Sequence, residues 1–158
     1  MRGLILAGGR LSHNVCRARA VRDRTRPAVE ALLAFCDTRR VYSEAVLDHF
    51  QHPRNAGDLA AASAVVEVNN PVCGDVLRLA VRVEDGRILE ARFQTRGCVT
   101  SIASSSLLTE MLLGKTLAEA RAITAAEIAA ELGGLPPATY HGSQLAAEAL
   151  ALLLARLK

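Results

Sequence analysis

Between residues 76 and 95 the sequence VLRLAVRVEDGRILEARFQT alternates apolar and polar side chains on both sides of an Asp-Gly pair. A period of two is typical of a β-strand with one buried face, and Asp-Gly favours a two-residue hairpin turn. The first strand is expected to bury Leu77, Leu79, Val81 and Val83. The second is expected to bury Leu89, Ala91 and Phe93. Because AVVEVNN supplies a further strand upstream, the sequence predicts a three-stranded antiparallel meander.

A short helix is predicted before the sheet, over YSEAVLDHFQ. Ser43 is its expected N-cap, and the helix ends before Pro53. Its buried face is expected to hold Val46, Leu47 and Phe50. His49 and His52 are spaced so that they could bind a metal, but we prefer to interpret them as solvated side chains at a helix end.

After the sheet the pattern becomes helical. TSIASSSLLTEMLLG is expected to bury Ala103, Leu107 and Met111 and to end at Gly114. Two capping boxes predict two short helices that end near Gly133 and Gly134; the pairs are Thr116 with Glu119 and Thr124 with Glu127.

LPPATY is expected to be extended. The last segment places leucines 150, 153, 154 and 157 at helical spacing. The predicted fold class is α+β, a three-stranded antiparallel sheet packed against helices with a long C-terminal helix.

Charge divides the chain into two parts. Residues 1–40 hold nine Arg and three acidic residues, a net charge of +6, whereas residues 41–158 hold ten basic and thirteen acidic residues, a net charge of −3. The main part therefore gives no reason to expect a nucleic-acid partner, and aromatic residues, at 3%, are too few for base stacking. We interpret residues 1–40 as a basic extension that is disordered or results from a misplaced start, with Val41 as an alternative start. An LILAGG nucleotide-binding loop and an Arg-rich transit peptide are other interpretations.

The number and spacing of the cysteines favour a reducing compartment. The four are Cys16, Cys36, Cys73 and Cys98, and none forms a CxxC pair. No secretory signal is evident, and no apolar run approaches the roughly 20 residues of a membrane span. We therefore expect a cytoplasmic protein with free thiols and no membrane partner.

Four potential metal ligands fall at the ends of predicted elements: Cys73, Asp75, Cys98 and His141. In a meander, the turn before the second strand and the end of the third strand can lie at the same edge. Thiolate, carboxylate and imidazole groups together suit zinc or iron. Taken singly, Cys98 could be a buried filler, Asp75 an Asx-turn residue and His141 a polar residue at a helix start.

Residues 41–158 carry these motifs in an order that resembles the IscU/NifU-type scaffolds for iron-sulfur cluster assembly. The matching segments are YSEAVLDHFQHPRNAG, NPVCGD, GCVTSIASSS and LPPATYHGS. The resemblance implies a protein that is not an enzyme, receives sulfur from a cysteine desulfurase and passes a transient 2Fe-2S cluster or iron to recipient apo-proteins. It also implies that the cluster, iron or zinc is held by Cys73, Asp75, Cys98 and His141.

The chain departs from the family pattern at three places. Gly142 stands where the family has a third cysteine, the usual sulfur acceptor, and glycine provides neither a ligand nor a nucleophile. Either Cys73 or Cys98 then takes the sulfur, or a partner or small thiol supplies a ligand. The alternative is a degenerate homologue that binds zinc or docks a desulfurase without building a cluster. LPPAT in place of LPPVK weighs against recognition by a DnaK-type chaperone, and GCVTS replaces the more usual GCGSA.

Overall fold

The computed structural model describes residues 41–157, so the interpretations of residues 1–40 lie outside the described residues and stay predictions. The described elements are α1 (Glu44–Gln51), β1 (Ala64–Asn69), β2 (Val76–Glu84), β3 (Arg87–Arg96), α2 (Val99–Leu112), α3 (Leu117–Arg121), α4 (Ala125–Glu131), a 3-10 turn (Pro137–Thr139) and α5 (His141–Arg156). The predicted α+β class is confirmed. Within this part of the chain, no helix combines the length and the apolar character needed to cross a bilayer.

The sheet has the predicted meander topology, with antiparallel strands in the order β1-β2-β3. Leu77, Leu79 and Val81 of β2 are fully buried, as their alternation predicts. Asp85 and Gly86 form the turn between β2 and β3 with φ values of 50° and 74°. Positive φ at both central residues is what a two-residue hairpin of the favoured type requires.

The inward face of β3 differs from the prediction at one residue. Arg82 pairs with Glu90 while the next residue, Val83, pairs with Ile88, so Leu89 is an extra residue on β3. Such a bulge interrupts the alternation of side chains between the two faces. Ile88 is therefore fully buried while Leu89 is 45% exposed, and the prediction that Leu89 faces the core is wrong. After the bulge, Ala91 and Phe93 face the core as predicted.

Helix α2 is more deeply buried than its sequence pattern suggests, because it packs against α1, α5 and β3. Ala103 is buried as predicted, but Leu108 and Leu112 are the fully buried leucine residues, while Leu107 and Met111 are only half-buried. The interior face also carries hydroxyl side chains: Thr100, Ser101, Ser104, Ser105, Ser106 and Thr109. These hydroxyls give α2 a polar stripe inside the protein.

Helix α1 begins at its predicted cap, where the Ser43 hydroxyl accepts a hydrogen bond from the Val46 amide at 3.1 Å. Val46 is fully buried, but Leu47 is half-buried and Phe50 is exposed, so the predicted buried face is only partly correct. The second buried position of α1 is taken by His49.

His49 is held by contacts from distant parts of the chain. It is only 8% exposed, and its Nδ1 lies 3.0 Å from Ser106 Oγ, which also accepts a hydrogen bond from the Arg54 amide. Burial, with a smaller contribution from the Arg54 charge, lowers the pKa of His49 below its usual value. The interpretation of His49 as a solvated residue is therefore wrong, whereas His52 is exposed as expected.

The remaining helices follow their local signals. Both predicted capping boxes are present, at the starts of α3 and α4. Gly133 and Gly134 have φ values of 80° and 87° just after α4. The segment before α5 was expected to be extended but forms a 3-10 turn with a proline at its first position, since the fixed φ of proline also suits that conformation. Leu150, Leu153 and Leu154 bury the inner face of α5.

Candidate metal centre

The turn between β1 and β2 presents Cys73 to solvent. Its shape is maintained by Asn70, whose main-chain carbonyl accepts from the Gly74 amide and whose side chain accepts from the Val72 amide. Gly74 takes a φ of 74°, a conformation that glycine adopts without strain. Asn70 makes the Asx-turn here, whereas the Asp75 carboxylate accepts a hydrogen bond from the distant Ser101.

The four candidate ligands lie together at one edge of the sheet. One ligand atom each from Cys73, Asp75 and His141 lies within 4.8 Å of the others. Cys98 joins this group through its Sγ, which is 3.5 Å from His141 Nε2. Sulfur and nitrogen ligands of one tetrahedral zinc ion are about 3.6 Å apart, given Zn–S and Zn–N bonds of about 2.3 and 2.0 Å. The Cys98–His141 pair fits that spacing, and the wider group needs a shift of about 1 Å, which the exposed Cys73 side chain can make.

Asp75 is a buried carboxylate, only 4% exposed. Its Oδ2 accepts a hydrogen bond from the Ser101 hydroxyl. Burial acts to raise the pKa of Asp75, but hydrogen bonds from Ser101, Cys73 and Cys98 outweigh it and hold the pKa below its usual value. A Cβ at Gly97 would lie 2.6 Å from Asp75 Cγ, so the glycine of the GCVTS segment leaves room for this carboxylate. The site therefore presents an ionised oxygen ligand at neutral pH.

Cys98 occupies the N-cap position of α2 and is half-buried among polar atoms. Its Sγ lies 3.2 Å from Thr100 Oγ1 and 3.3 Å from Ser101 Oγ. These polar neighbours argue against the role of an apolar filler. Sequence reasoning missed the individual contacts of these hydroxyl residues. The spacing of Ser101, three residues after the N-cap, was the available signal, because that position faces the cap residue.

Comparison with known proteins identifies the family. Residues 41–157 match the family model described as NifU-like N terminal domain. The chain belongs to this family. We refer to residues 41–157 below as the NifU-like domain.

Individual relatives agree with the family model. The chain is 51% identical to the iron-sulfur cluster assembly scaffold protein IscU 1 of Archaeoglobus fulgidus over 110 residues, which are 70% of this chain and 72% of that protein. It is 47% identical to the scaffold protein IscU of Haemophilus influenzae over 121 residues, which are 74% of this chain and 95% of that one. The fold is similar to that of the N-terminal part of a NifU-like protein from Brucella abortus, with a TM-score of 0.62 and 20% identity, covering 75% of this chain and 95% of that one.

The NifU-like domain has no space for a side chain at Gly142. Gly142 is buried in the first turn of α5, and a Cβ there would lie 2.7 Å from the carbonyl carbon of Thr100 and 2.8 Å from the amide nitrogen of Ser101. Both are main-chain atoms, which cannot turn away as a side chain could. The start of α5 is thus packed directly on the start of α2, and position 142 is closed to a cysteine in this arrangement.

Proposed function

We propose that the NifU-like domain is an iron-sulfur cluster assembly scaffold that holds iron or a transient 2Fe-2S cluster and releases it to recipient apo-proteins. The observation that carries the proposal is the convergence of the ligand atoms of Cys73, Asp75 and His141 within 4.8 Å, with Cys98 beside His141. The scaffold role of relatives that are 47–51% identical supports it. The protein acts by binding and transfer, and is not itself an enzyme.

The chemistry of the donor set supports a cargo that is released. Iron-sulfur clusters are most often held by four thiolates, and histidine replaces cysteine in some 2Fe-2S centres. The candidate site offers two thiolates, one carboxylate and one imidazole, which is a weaker set for soft metals than four thiolates. The same donors suit Zn²⁺, so a zinc ion can occupy the site when no cluster is present.

Exposure distinguishes the two thiols as sulfur acceptors. Cys73 lies in a projecting turn beside Val72, which is 94% exposed, whereas Cys98 is half-buried and in contact with three polar atoms. We therefore assign sulfur acceptance to Cys73. Its thiolate attacks the terminal sulfur of a persulfide on a cysteine desulfurase, the new sulfur–sulfur bond forms on Cys73, and the desulfurase cysteine leaves as a thiolate. No external oxidant or reductant is needed for this step.

A thiol-labelling experiment tests the assignment of Cys73. In the native metal-free protein we expect iodoacetamide to modify Cys73 at least about tenfold faster than Cys98, because reaction requires access to the sulfur. Timed quenching followed by peptide mass analysis measures both rates. Denatured protein is the control, since both thiols are then accessible and should react at similar rates. Equal rates in the native protein would contradict the assignment.

Anaerobic reconstitution tests the scaffold function itself. We expect the protein, incubated with a cysteine desulfurase, cysteine and ferrous iron, to develop the visible absorption of an iron-sulfur cluster. The variant Cys98→Ser should not develop it, because a serine hydroxyl is a poor ligand for a soft metal. Transfer is then followed as loss of that absorption upon addition of an apo-ferredoxin.

The second candidate function is a degenerate scaffold homologue that binds zinc or docks a desulfurase without building a cluster. The closed position at Gly142 favours it, because a third thiolate is missing. In the reconstitution experiment this function predicts no cluster absorption in the wild type, together with retention of about one zinc ion per chain. That result would overturn the scaffold proposal.

A further inference from the structure

Ser101 connects two of the candidate ligands. Its side chain is fully buried in the first turn of α2. Its hydroxyl donates to Asp75 Oδ2, and its oxygen also lies 3.3 Å from Cys98 Sγ. A hydroxyl has one hydrogen to donate and lone pairs that accept, so Ser101 can donate to the carboxylate and accept from a protonated thiol. When Cys98 is a thiolate, it has no hydrogen to donate to Ser101, and the single Ser101 hydrogen is donated to the Asp75 carboxylate.

Ser101 also lies at the contact between α2 and α5. Its amide nitrogen is 2.8 Å from the place that a Cβ on Gly142 would take. The same residue therefore touches both the start of α5 and the candidate ligand Asp75.

We propose that Ser101 is a positioning residue of the metal site, which orients the Asp75 carboxylate beside Cys98. The inference rests on the proposed function, because it assumes that the site binds a metal. A hydrogen bond to Oδ2 restricts rotation of the carboxylate. Partners of this kind fix the orientation of metal ligands, and their loss commonly weakens metal affinity by about 10–100-fold.

A purely structural role for Ser101 makes a different prediction. If the hydroxyl only satisfies a buried carboxylate, its removal lowers the free energy of unfolding but leaves the affinity of the folded site for a metal unchanged. The two roles are therefore separated by measuring affinity on folded protein rather than by measuring stability.

The experiment is a titration of the full-length protein with Zn²⁺ and, separately, with Co²⁺, whose visible spectrum reports its ligands. We expect Ser101→Ala to weaken Zn²⁺ binding by about 10–100-fold and to alter the Co²⁺ spectrum. The matched control is Ser104→Ala, because Ser104 is fully buried in the same helix and its hydroxyl has no hydrogen-bond partner among the described residues. That control should bind both ions as the wild type does.

A double-mutant cycle with Asp75→Asn identifies the route of the effect. If Ser101 acts through Asp75, the double variant Ser101→Ala/Asp75→Asn should bind Zn²⁺ about as weakly as Asp75→Asn alone. Additive losses, or wild-type affinity in Ser101→Ala, would overturn the positioning role while leaving the proposed function intact. Failure of the wild type to bind either ion would overturn both.

Discussion

A side chain at position 142 is expected to destabilise the NifU-like domain rather than to restore a third sulfur ligand. Gly142→Ala and Gly142→Cys should each lower the free energy of unfolding by about 1–3 kcal/mol, the usual cost of forcing extra atoms into a packed interior. The physical reason is the 2.7 Å separation between the added Cβ and the Thr100 carbonyl carbon, which only a movement of α5 away from α2 can relieve. Urea unfolding of the metal-free variants measures the change.

The sign of the change in unfolding free energy for Gly142→Ala serves as the control. In a helix that leaves room for a methyl group, replacing glycine by alanine raises stability by about 0.5–1 kcal/mol. A gain in stability for Gly142→Ala would therefore show that the contact with Thr100 does not constrain this position. If Gly142→Cys were also as stable as the wild type and assembled more cluster, the absence of the third cysteine would be a simple loss that one substitution repairs.

The second large effect is the loss of metal affinity expected when one of the candidate ligands is replaced. We expect the wild type to bind about one zinc or iron per chain, and Cys73→Ser or His141→Ala to lower the affinity by more than about 100-fold, beyond the loss typical of outer-shell changes. The reason is that each variant removes one donor from a set of four that already contains only two thiolates. Metal content after equilibration with a chelator, measured by elemental analysis, gives the stoichiometry.

His52→Ala is the matched control for His141→Ala. His52 is an exposed histidine at the C-cap of α1, paired only with Asp48 among the described residues. Its removal should leave the metal content unchanged. Full stoichiometry in Cys73→Ser would show that the metal, if bound, is held somewhere other than at the proposed site.

The sequence by itself determined the elements whose signals are local. The alternation in β2, the Asp85-Gly86 turn, the Ser43 cap and the two capping boxes each depend on residues within a few positions of one another. Their energies are decided within one turn or one hairpin, so reading them requires no knowledge of the rest of the molecule. The ordered motifs likewise identified the four candidate ligands, although their role as ligands is still a proposal.

Only the tertiary structure decided the features that depend on contacts between distant residues. His49 is buried because its helix packs against α2, where Ser106 contacts the imidazole ring. Leu89 turns outward because the pairing of two strands contains a bulge, which alternation alone does not reveal. The link from Ser101 to Asp75 and the contact of Gly142 with α2 likewise join segments 26 or more positions apart. Such contacts arise from how helices and strands pack, and a single sequence carries no local signal for the distance between their surfaces.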